Sequence, residues 1–423
     1  MLGRVLYAVM ATVAALLAVP VLWLRPKTRG GLGARLGRPA VPPTLPAGPR
    51  LWVHAASAGD VKNIWPVVAA LKTQQPELSV VLTVITDSGQ TMAGKMTPAP
   101  DVVTFLPLDA PPFVSAAMAR IRPDALLLEC TELWPTLIAA ASRRGIPIIL
   151  CNGRVSERSA RRYRAFFRLV DNPVSRLTRL CLQTEEDRAR YVALGADASR
   201  CMVTGNCKFD AAARAPDPAR LAALRADLGE PAGFLVAGST HQGEEPVILS
   251  AFRRAREVDG GIRLLWAPRY LEHAESITRM CEQAGWRTAR RSGGADACPG
   301  VDVVVLDTMG ELAAAYALAR VAIVGGSFVE RGGQNILEPA AQGAPVLHGP
   351  HMFLAPDQTA ALDGVGATQV TAEELPEAVA KWLIEADEAR RVGQAGKERV
   401  ASMAGAVARH MEVVGPVVAA LTR

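Results

Sequence analysis

The densest chemistry in this chain lies in Gly325-Gly326-Ser327-Phe328-Val329-Glu330-Arg331-Gly332-Gly333-Gln334-Asn335-Ile336-Leu337-Glu338-Pro339. It follows the apolar run Val321-Ala-Ile-Val324, which reads as a buried parallel strand, and it precedes a helix-like segment. Glycine pairs let a backbone turn sharply and approach a ligand closely. Amides opening the next helix would then point at an anion. Glu338 stands about one turn into that helix, within reach of a sugar hydroxyl. Strand, glycine loop, helix start and acid together suggest a phosphate site for a nucleotide sugar. A tight βα turn without a ligand is the alternative.

Other polar clusters also stand at predicted strand ends. His54-Ala-Ala-Ser57-Ala-Gly59-Asp60 ends the first strand. Asp60 could take a proton from a hydroxyl nucleophile, although a helix N-terminus depresses a carboxyl pKa and weakens the base. It could equally be the N-cap of a helix from Val61. Glu129-Cys-Thr-Glu132-Leu-Trp134-Pro135 ends the fourth strand, and two acids there either contact substrate or basic groups, or begin a helix. Arg154, Ser156 and Arg158 open a basic stretch whose guanidinium groups suit phosphates or carboxylates, or form a solvated helix face. Lys208 stands just after the last strand of the first series, where it could reach into a cleft. Ser239, Thr240 and Glu244 follow the first strand of the second series, Arg269 the next, and Gly310 with Glu311 the one after. Small residues and hydroxyls at βα turns favour an anion.

Several chemistries are excluded. The chain has no Gly-x-x-x-x-Gly-Lys-Ser/Thr loop, no His-Glu-x-x-His and no Gly-x-Ser-x-Gly elbow. Its histidines (54, 241, 273, 348, 351, 410) lack ligand spacing, so no metal site is expected. The seven cysteines are scattered without a Cys-x-x-Cys pair, as in a reducing compartment. A net charge of +6 without a basic stripe and interleaved aromatics excludes a nucleic-acid footprint.

The elements that must position these groups alternate between strand and helix. Predicted strands are Leu51–Ala56, Val80–Ile85, Val102–Leu106, Ala125–Glu129, Ile146–Leu150, Leu177–Gln183 and Met202–Gly205, then Phe234–Ala237, Arg263–Ala267, Val303–Leu306, Val321–Val324 and Pro345–Leu347. This predicts an α/β protein with two Rossmann-like domains, 45–211 and 233–423, joined by a linker at 212–232 that carries a helix-compatible Leu221–Leu228, with C-terminal helices able to cross back and ligands in a cleft between the domains. Before them, Val5 to Leu24 is twenty residues without a charge, and as a helix it would span roughly 30 Å. Arg25, Lys27, Arg29, Arg35 and Arg38 follow, with no acid before Asp60. Residues 1–38 therefore read as a single-pass anchor with a basic collar, the rest of the chain cytoplasmic and the collar drawn to anionic lipid; a cleaved signal peptide is the competitor.

Together these motifs resemble the 3-deoxy-D-manno-octulosonic acid (Kdo) transferases of lipopolysaccharide assembly. The resemblance rests on the anchor and on His54-x-x-Ser57-x-Gly59, Glu129-x-x-Glu132-Leu-Trp-Pro, Asn152-x-Arg154-x-Ser156, Gly205-Asn-x-Lys208-Phe-Asp, Ser239-Thr-His-x-Gly-Glu-Glu, Asp307-Thr-Met-Gly-Glu-Leu and Gly332-Gly-x-Asn335-x-x-Glu338-Pro. It implies a GT-B fold and metal-independent, inverting transfer from CMP-Kdo to a lipid A precursor at the cytoplasmic face of the inner membrane, with no cofactor. It implies Asp60 as general base, with the acceptor held around His54, Ser57, Gly59, Glu129, Glu132, Arg154, Ser156 and Arg158. The donor is then expected at Lys208, Ser239, Thr240, Glu244, Arg269, Gly310, Glu311, Gly332, Gly333, Gln334, Asn335 and Glu338. The chain departs from the family pattern at Asp60, usually Glu, and at Gln334 and Tyr270, usually His. Two rivals are carried alongside: a retaining glycosyltransferase using another sugar nucleotide, on the Glu330/Glu338 spacing, and a degraded protein that binds CMP-Kdo or lipid without transfer.

Overall fold

The protein is described here by a computed structural model covering residues 2–24, 31–42, 45, 48–167, 170–213, 216–229, 233–294 and 297–421. Arg25, Lys27 and Arg29 of the expected collar lie outside the described residues, as do residues 43, 44, 46 and 47 and parts of the 212–232 segment. The first apolar runs form β1 (Arg50–His54), β2 (Ser79–Val84), β3 (Val102–Phe105), β4 (Ala125–Glu129), β5 (Ile148–Gly153), β6 (Arg179–Leu182) and β7 (Cys201–Val203). They make one parallel sheet in the order β3-β2-β1-β4-β5-β6-β7. Successive β1 residues serve opposite faces: Trp52 packs into one apolar cluster, Leu51 and Val53 into another. Both faces are covered by helices, which is why these strands read as continuous apolar runs.

The second sheet comprises β8 (Phe234–Thr240), β9 (Arg263–Pro268), β10 (Thr288–Arg290), β11 (Val303–Val305), β12 (Ala319–Val324), β13 (Val346–His348) and β14 (Ala367–Gln369). Its order is β10-β11-β9-β8-β12-β13-β14, again parallel. In each sheet the strand order reverses beside the first strand of its series, between β1 and β4 and between β8 and β12. In doubly wound sheets ligands bind beyond the carboxyl ends of the strands at that reversal.

The chain divides into two compact units, residues 1–210 with 404–423, and residues 211–403. The stretch expected as a linker contains the helix Pro218–Leu228, capped by Asp217, whose Leu224 and Leu228 are fully buried in the second unit's core. Its apolar positions make it part of that unit. The last helix, Ala406–Ala419, packs with the first unit although its sequence neighbours belong to the second.

Several polar contacts hold that last helix. Asp210 accepts from the backbone N–H of Gly405 and Val407, Arg409 donates to the Thr204 carbonyl, and His410 is fully buried. Burial pushes the His410 imidazole from 6.5 down to about 4, against the raising influence of the Ala406 carbonyl and Asp210 and aided by Arg409. The folded state thus refuses a proton that the unfolded chain accepts. Stability from this group is complete above pH 6.5 and is lost as pH falls toward 4, by about 3 kcal/mol in total. Urea denaturation at pH 7 and pH 4.5 should show a smaller pH-dependent loss in H410Q than in the parent chain.

The N-terminal helix Leu2–Leu24 is long and apolar enough to cross a membrane. Val9, Met10, Val13, Leu16, Leu17, Val21, Trp23 and Leu24 are exposed along it. Tyr7 ties it to the first unit: its hydroxyl donates to Asp109 Oδ2 at 3.2 Å and its ring meets Phe166 edge-on.

Candidate active-site residues of the two units

In the first unit, β1 delivers Ser57 as N-cap of the helix Ala58–Gln74. Asp60, in the first turn, reaches back so that Oδ2 accepts from Ser57 N at 2.9 Å and Ser57 Oγ at 2.7 Å. Asp60 is therefore the acidic partner of a capping box rather than the N-cap itself. Among the described residues both donors act on Oδ2, which leaves Oδ1 for a ligand. Gly59, exposed, leaves that first turn uncovered. Ser57 thus aims the candidate base.

His54 is fully buried, and its ring bridges β2 and the β4 loop: Nδ1 lies 3.0 Å from the Thr83 carbonyl and Nε2 3.1 Å from Glu132 Oε2. Trp134 Nε1 donates to the same Glu132 oxygen at 2.8 Å. Burial alone would raise the Glu132 carboxyl, but the His54 hydrogen bond and charge and the Trp134 donor pull it below the ordinary value. His54 therefore cannot face an acceptor substrate, contrary to expectation; it fixes Glu132, which is partly exposed.

Glu129 is also fully buried, accepting from Asn63 Nδ2 at 2.7 Å and from Asn152 Nδ2 at 3.1 and 3.2 Å. Burial pushes its carboxyl well above the usual range, the two amides offset part of that, and Asp60 and Glu132 push it further up. A neutral Glu129 limits repulsion at the Asp60 carboxylate. Its expected contact with the acceptor is corrected by this burial: Glu129 organises the floor of the site. Ser156 Oγ accepts from Ser159 N as the N-cap of the helix Glu157–Phe166, so its role is local, while Arg154 and Arg158 are exposed. Lys208 lies beyond β7 at the far edge of the first sheet, on that unit and not on the loops of the second sheet.

In the second unit, β8 ends with Ser239 in the left-handed region (φ 54°). Thr240 is buried, with Oγ1 accepting from Trp266 Nε1 at 2.8 Å. Glu244, expected to touch the donor, is fully buried. Its Oε2 accepts from His241 N (2.7 Å) and Gly326 N (2.8 Å), its Oε1 from Ser327 N (3.1 Å) and Phe328 N (3.0 Å). It clamps the glycine loop onto β8 and is an internal anion rather than a ligand contact.

The glycine loop answers the expectation of amides aimed at a phosphate differently. Gly333 N and Gln334 N donate to the carbonyls of Gly326 and Gly325, Ile336 N to Gln358 Oε1 and Leu337 N to Asn335 Oδ1. The helix that follows, Leu337–Ala341, is five residues long. Those four amides are occupied within the protein. The loop still needs its glycines: at Gly325 a Cβ would stand 2.4 Å from Thr240 Cα, and Gly332 and Gly333 have φ of 88° and 78°.

Gln334 Nε2 lies 3.2 Å from His241 Nε2, and the Tyr270 ring meets His241 edge-on with centroids 5.6 Å apart. Both departures of this unit from the family pattern therefore converge on His241, a residue the site reading had passed over. Burial lowers the His241 imidazole, and Arg331, Arg269 and His273 lower it further. With His241 neutral, Nε2 accepts from the Gln334 amide and the ring proton sits on Nδ1. Arg269 is exposed beside Tyr270. Asn335 Nδ2 donates to Glu338 Oε1 at 3.1 Å, which keeps Glu338 at the loop. Glu330 is exposed on the intervening turn. Gly310 (φ 86°) offers its carbonyl to Arg220, and Glu311 accepts from Thr308 and pairs with Arg291, itself bound to Asp227. Glu311 thus ties its loop to the helix Pro218–Leu228 through Arg291 and is half-buried there.

Two doubly wound parallel sheets, each with polar loops gathered where its strand order reverses, are the GT-B class of architecture. A family model described as 3-deoxy-D-manno-octulosonic-acid transferase (kdotransferase) matches residues 30–211. The 3-deoxy-D-manno-octulosonic acid transferase of Bordetella pertussis is 33% identical over 412 residues, covering 93% of this chain and 94% of that one. The Haemophilus influenzae transferase of the same name is 31% identical over 370 residues, 86% of each chain. The crystal structure of UDP-GlcNAc 2-epimerase from Neisseria meningitidis, at 11% identity, superposes with a TM-score of 0.58 over 87% of this chain and 100% of its own, which shows the shared fold. The chain belongs to the 3-deoxy-D-manno-octulosonic acid transferase family of glycosyltransferases.

Proposed function

We propose that this chain moves Kdo from CMP-Kdo to a phosphorylated lipid A precursor with inversion at the anomeric carbon. Asp60 Oδ1 takes the proton from the acceptor hydroxyl, the freed oxygen attacks the anomeric carbon, and the bond to the CMP phosphate breaks with its electron pair leaving on CMP. The observation that carries these roles is the capping box, which fixes Asp60 through Oδ2 and, among the described residues, leaves Oδ1 without a donor. Arg154 and Arg158, exposed on the same unit, suit the acceptor's phosphates. On the second unit Ser239, Arg269, Gln334 and Asn335 supply donors for the carboxylate and phosphate of the sugar nucleotide, and Glu338 accepts from a ribose hydroxyl. Guanidinium groups carry the leaving-group charge, so no divalent metal is required. The test is transfer from CMP-Kdo to a tetraacylated lipid A precursor by purified protein in detergent with EDTA, read by mass spectrometry. Products heavier by one or more Kdo units support the reading. CMP binding with neither product nor CMP release overturns it in favour of a binding protein.

The same reading makes Leu2–Leu24 a membrane anchor, with both units on the cytoplasmic side of the inner membrane. Leaving the first unit breaks, among other contacts, the partly exposed hydrogen bond at Tyr7, about 1 kcal/mol. Burying its eight exposed large apolar side chains in lipid gains on the order of 12 kcal/mol or more. Burial wins. The full chain should stay in the membrane fraction after carbonate washing, and a chain lacking residues 2–24 should be released.

A further inference from the structure

We propose that His410, on the C-terminal helix, is a positioning residue for the candidate base. The inference rests on the reading of Asp60 given above. The pairing of β5 with β6 slips between Leu150 and Gly153, and Asn152, at φ 49°, turns its N–H out of the ladder. A buried N–H needs an acceptor. His410 Nε2 supplies it at 3.1 Å, while Nδ1–H donates to the Ala406 carbonyl at 2.8 Å. The Asn152 side chain is held as well: Oδ1 accepts from Cys207 N at 3.0 Å, and Nδ2 donates to Glu129. Glu129 in turn accepts from Asn63, which lies three residues after Asp60 on the same helix. Hydrogen bonds therefore run without a break from the C-terminal helix through His410, Asn152, Glu129 and Asn63 to the helix that presents Asp60.

His410, Asn152 and Glu129 are fully buried, so this route carries position and not substrate contact. A metal role for the same pocket does not fit. The ligand atoms of Cys151, Cys181 and His410 lie within 4.8 Å of one another, but both ring nitrogens of His410 are already hydrogen-bonded to backbone. What the pocket provides is a neutral acceptor at a fixed place.

The experiment compares two substitutions of similar size in the full chain. Gln at 410 can place an oxygen near the position of Nε2, whereas Met offers no comparable acceptor. Transfer is measured as acceptor-dependent CMP release per folded molecule, with the folded fraction read from circular dichroism. H410M should lower kcat by about tenfold or more with the KM for CMP-Kdo within about twofold, and H410Q should restore most of the loss. A purely structural role would lower the folded fraction of either variant and leave kcat per folded molecule unchanged. That result overturns the proposal, as does an H410Q as impaired as H410M. If H410M fails to fold, H410L, which also lacks an acceptor, takes its place and the same two outcomes decide. D60N, assayed in parallel, separates the two levels. Full activity in D60N sinks the reading of the base, whereas a dead D60N beside a fully active H410M sinks only the positioning role.

Discussion

Asp60→Asn should lower kcat for Kdo transfer by about 10²–10⁴-fold, the range a positioned general base contributes. The protein should remain folded. An Asn side chain still offers one oxygen to Ser57 N and Ser57 Oγ, which now donate to Oδ2. The helix Ala58–Gln74 would lose only a charge at its first turn, worth about 0.5 kcal/mol. A kinetic loss of several kcal/mol against a stability change of a few tenths identifies chemistry rather than unfolding. Asp60→Glu should keep transfer, because Glu is the usual acid of a capping box and can still reach back to Ser57. The measurement is CMP release with mass detection of product, beside a thermal melt of each variant. An Asn variant that transfers at the parental rate removes Asp60 from the mechanism.

How much of this was legible in the sequence depends on what burial had to be known. Continuous apolar runs marked the inner strands, because strands covered on both faces have no polar side to show. β10 (Thr288–Arg290) and β14 (Ala367–Gln369) escaped notice: each is three residues long, partly polar and at an edge of the second sheet, where one flank is unpaired. The helix Pro218–Leu228 looked like a linker because alanine, arginine and aspartate surround its two buried leucines. Motif acids were visible, yet their direction was not. Asp60 and Glu129 look alike in sequence, and only the fold shows one half-buried and held through a single oxygen and the other enclosed by Asn63 and Asn152. His410 was unreadable as part of any site, since its partner Asn152 lies 258 residues away. Ser239 was visible as a small residue at a turn, but its left-handed backbone was not.

Glu244→Gln should weaken donor binding more than any exposed residue of the second unit, although Glu244 touches no ligand in this reading. Its two oxygens accept four backbone N–H groups, from His241 on one loop and Gly326, Ser327 and Phe328 on the other. Burial raises this carboxyl while those four amides pull it back. A proton on it would find four donors and no acceptor, so the ionised form is the one that fits. Gln supplies one acceptor oxygen where two stood, and turns a donor NH₂ against two N–H groups. Leaving two buried amides unsatisfied costs about 3 kcal/mol. The loop holding Gly332, Gln334 and Asn335 is tied to this clamp through Gly333 N and Gln334 N, which donate to Gly326 and Gly325. Loosening it should move Gln334 off His241 and raise the KM for CMP-Kdo by about tenfold or more, with a lower denaturant midpoint. Glu244→Asp should do no better, because a side chain one methylene shorter cannot span both loops. A Gln variant with parental donor KM and parental stability would show that the four amide contacts do not shape the donor loop.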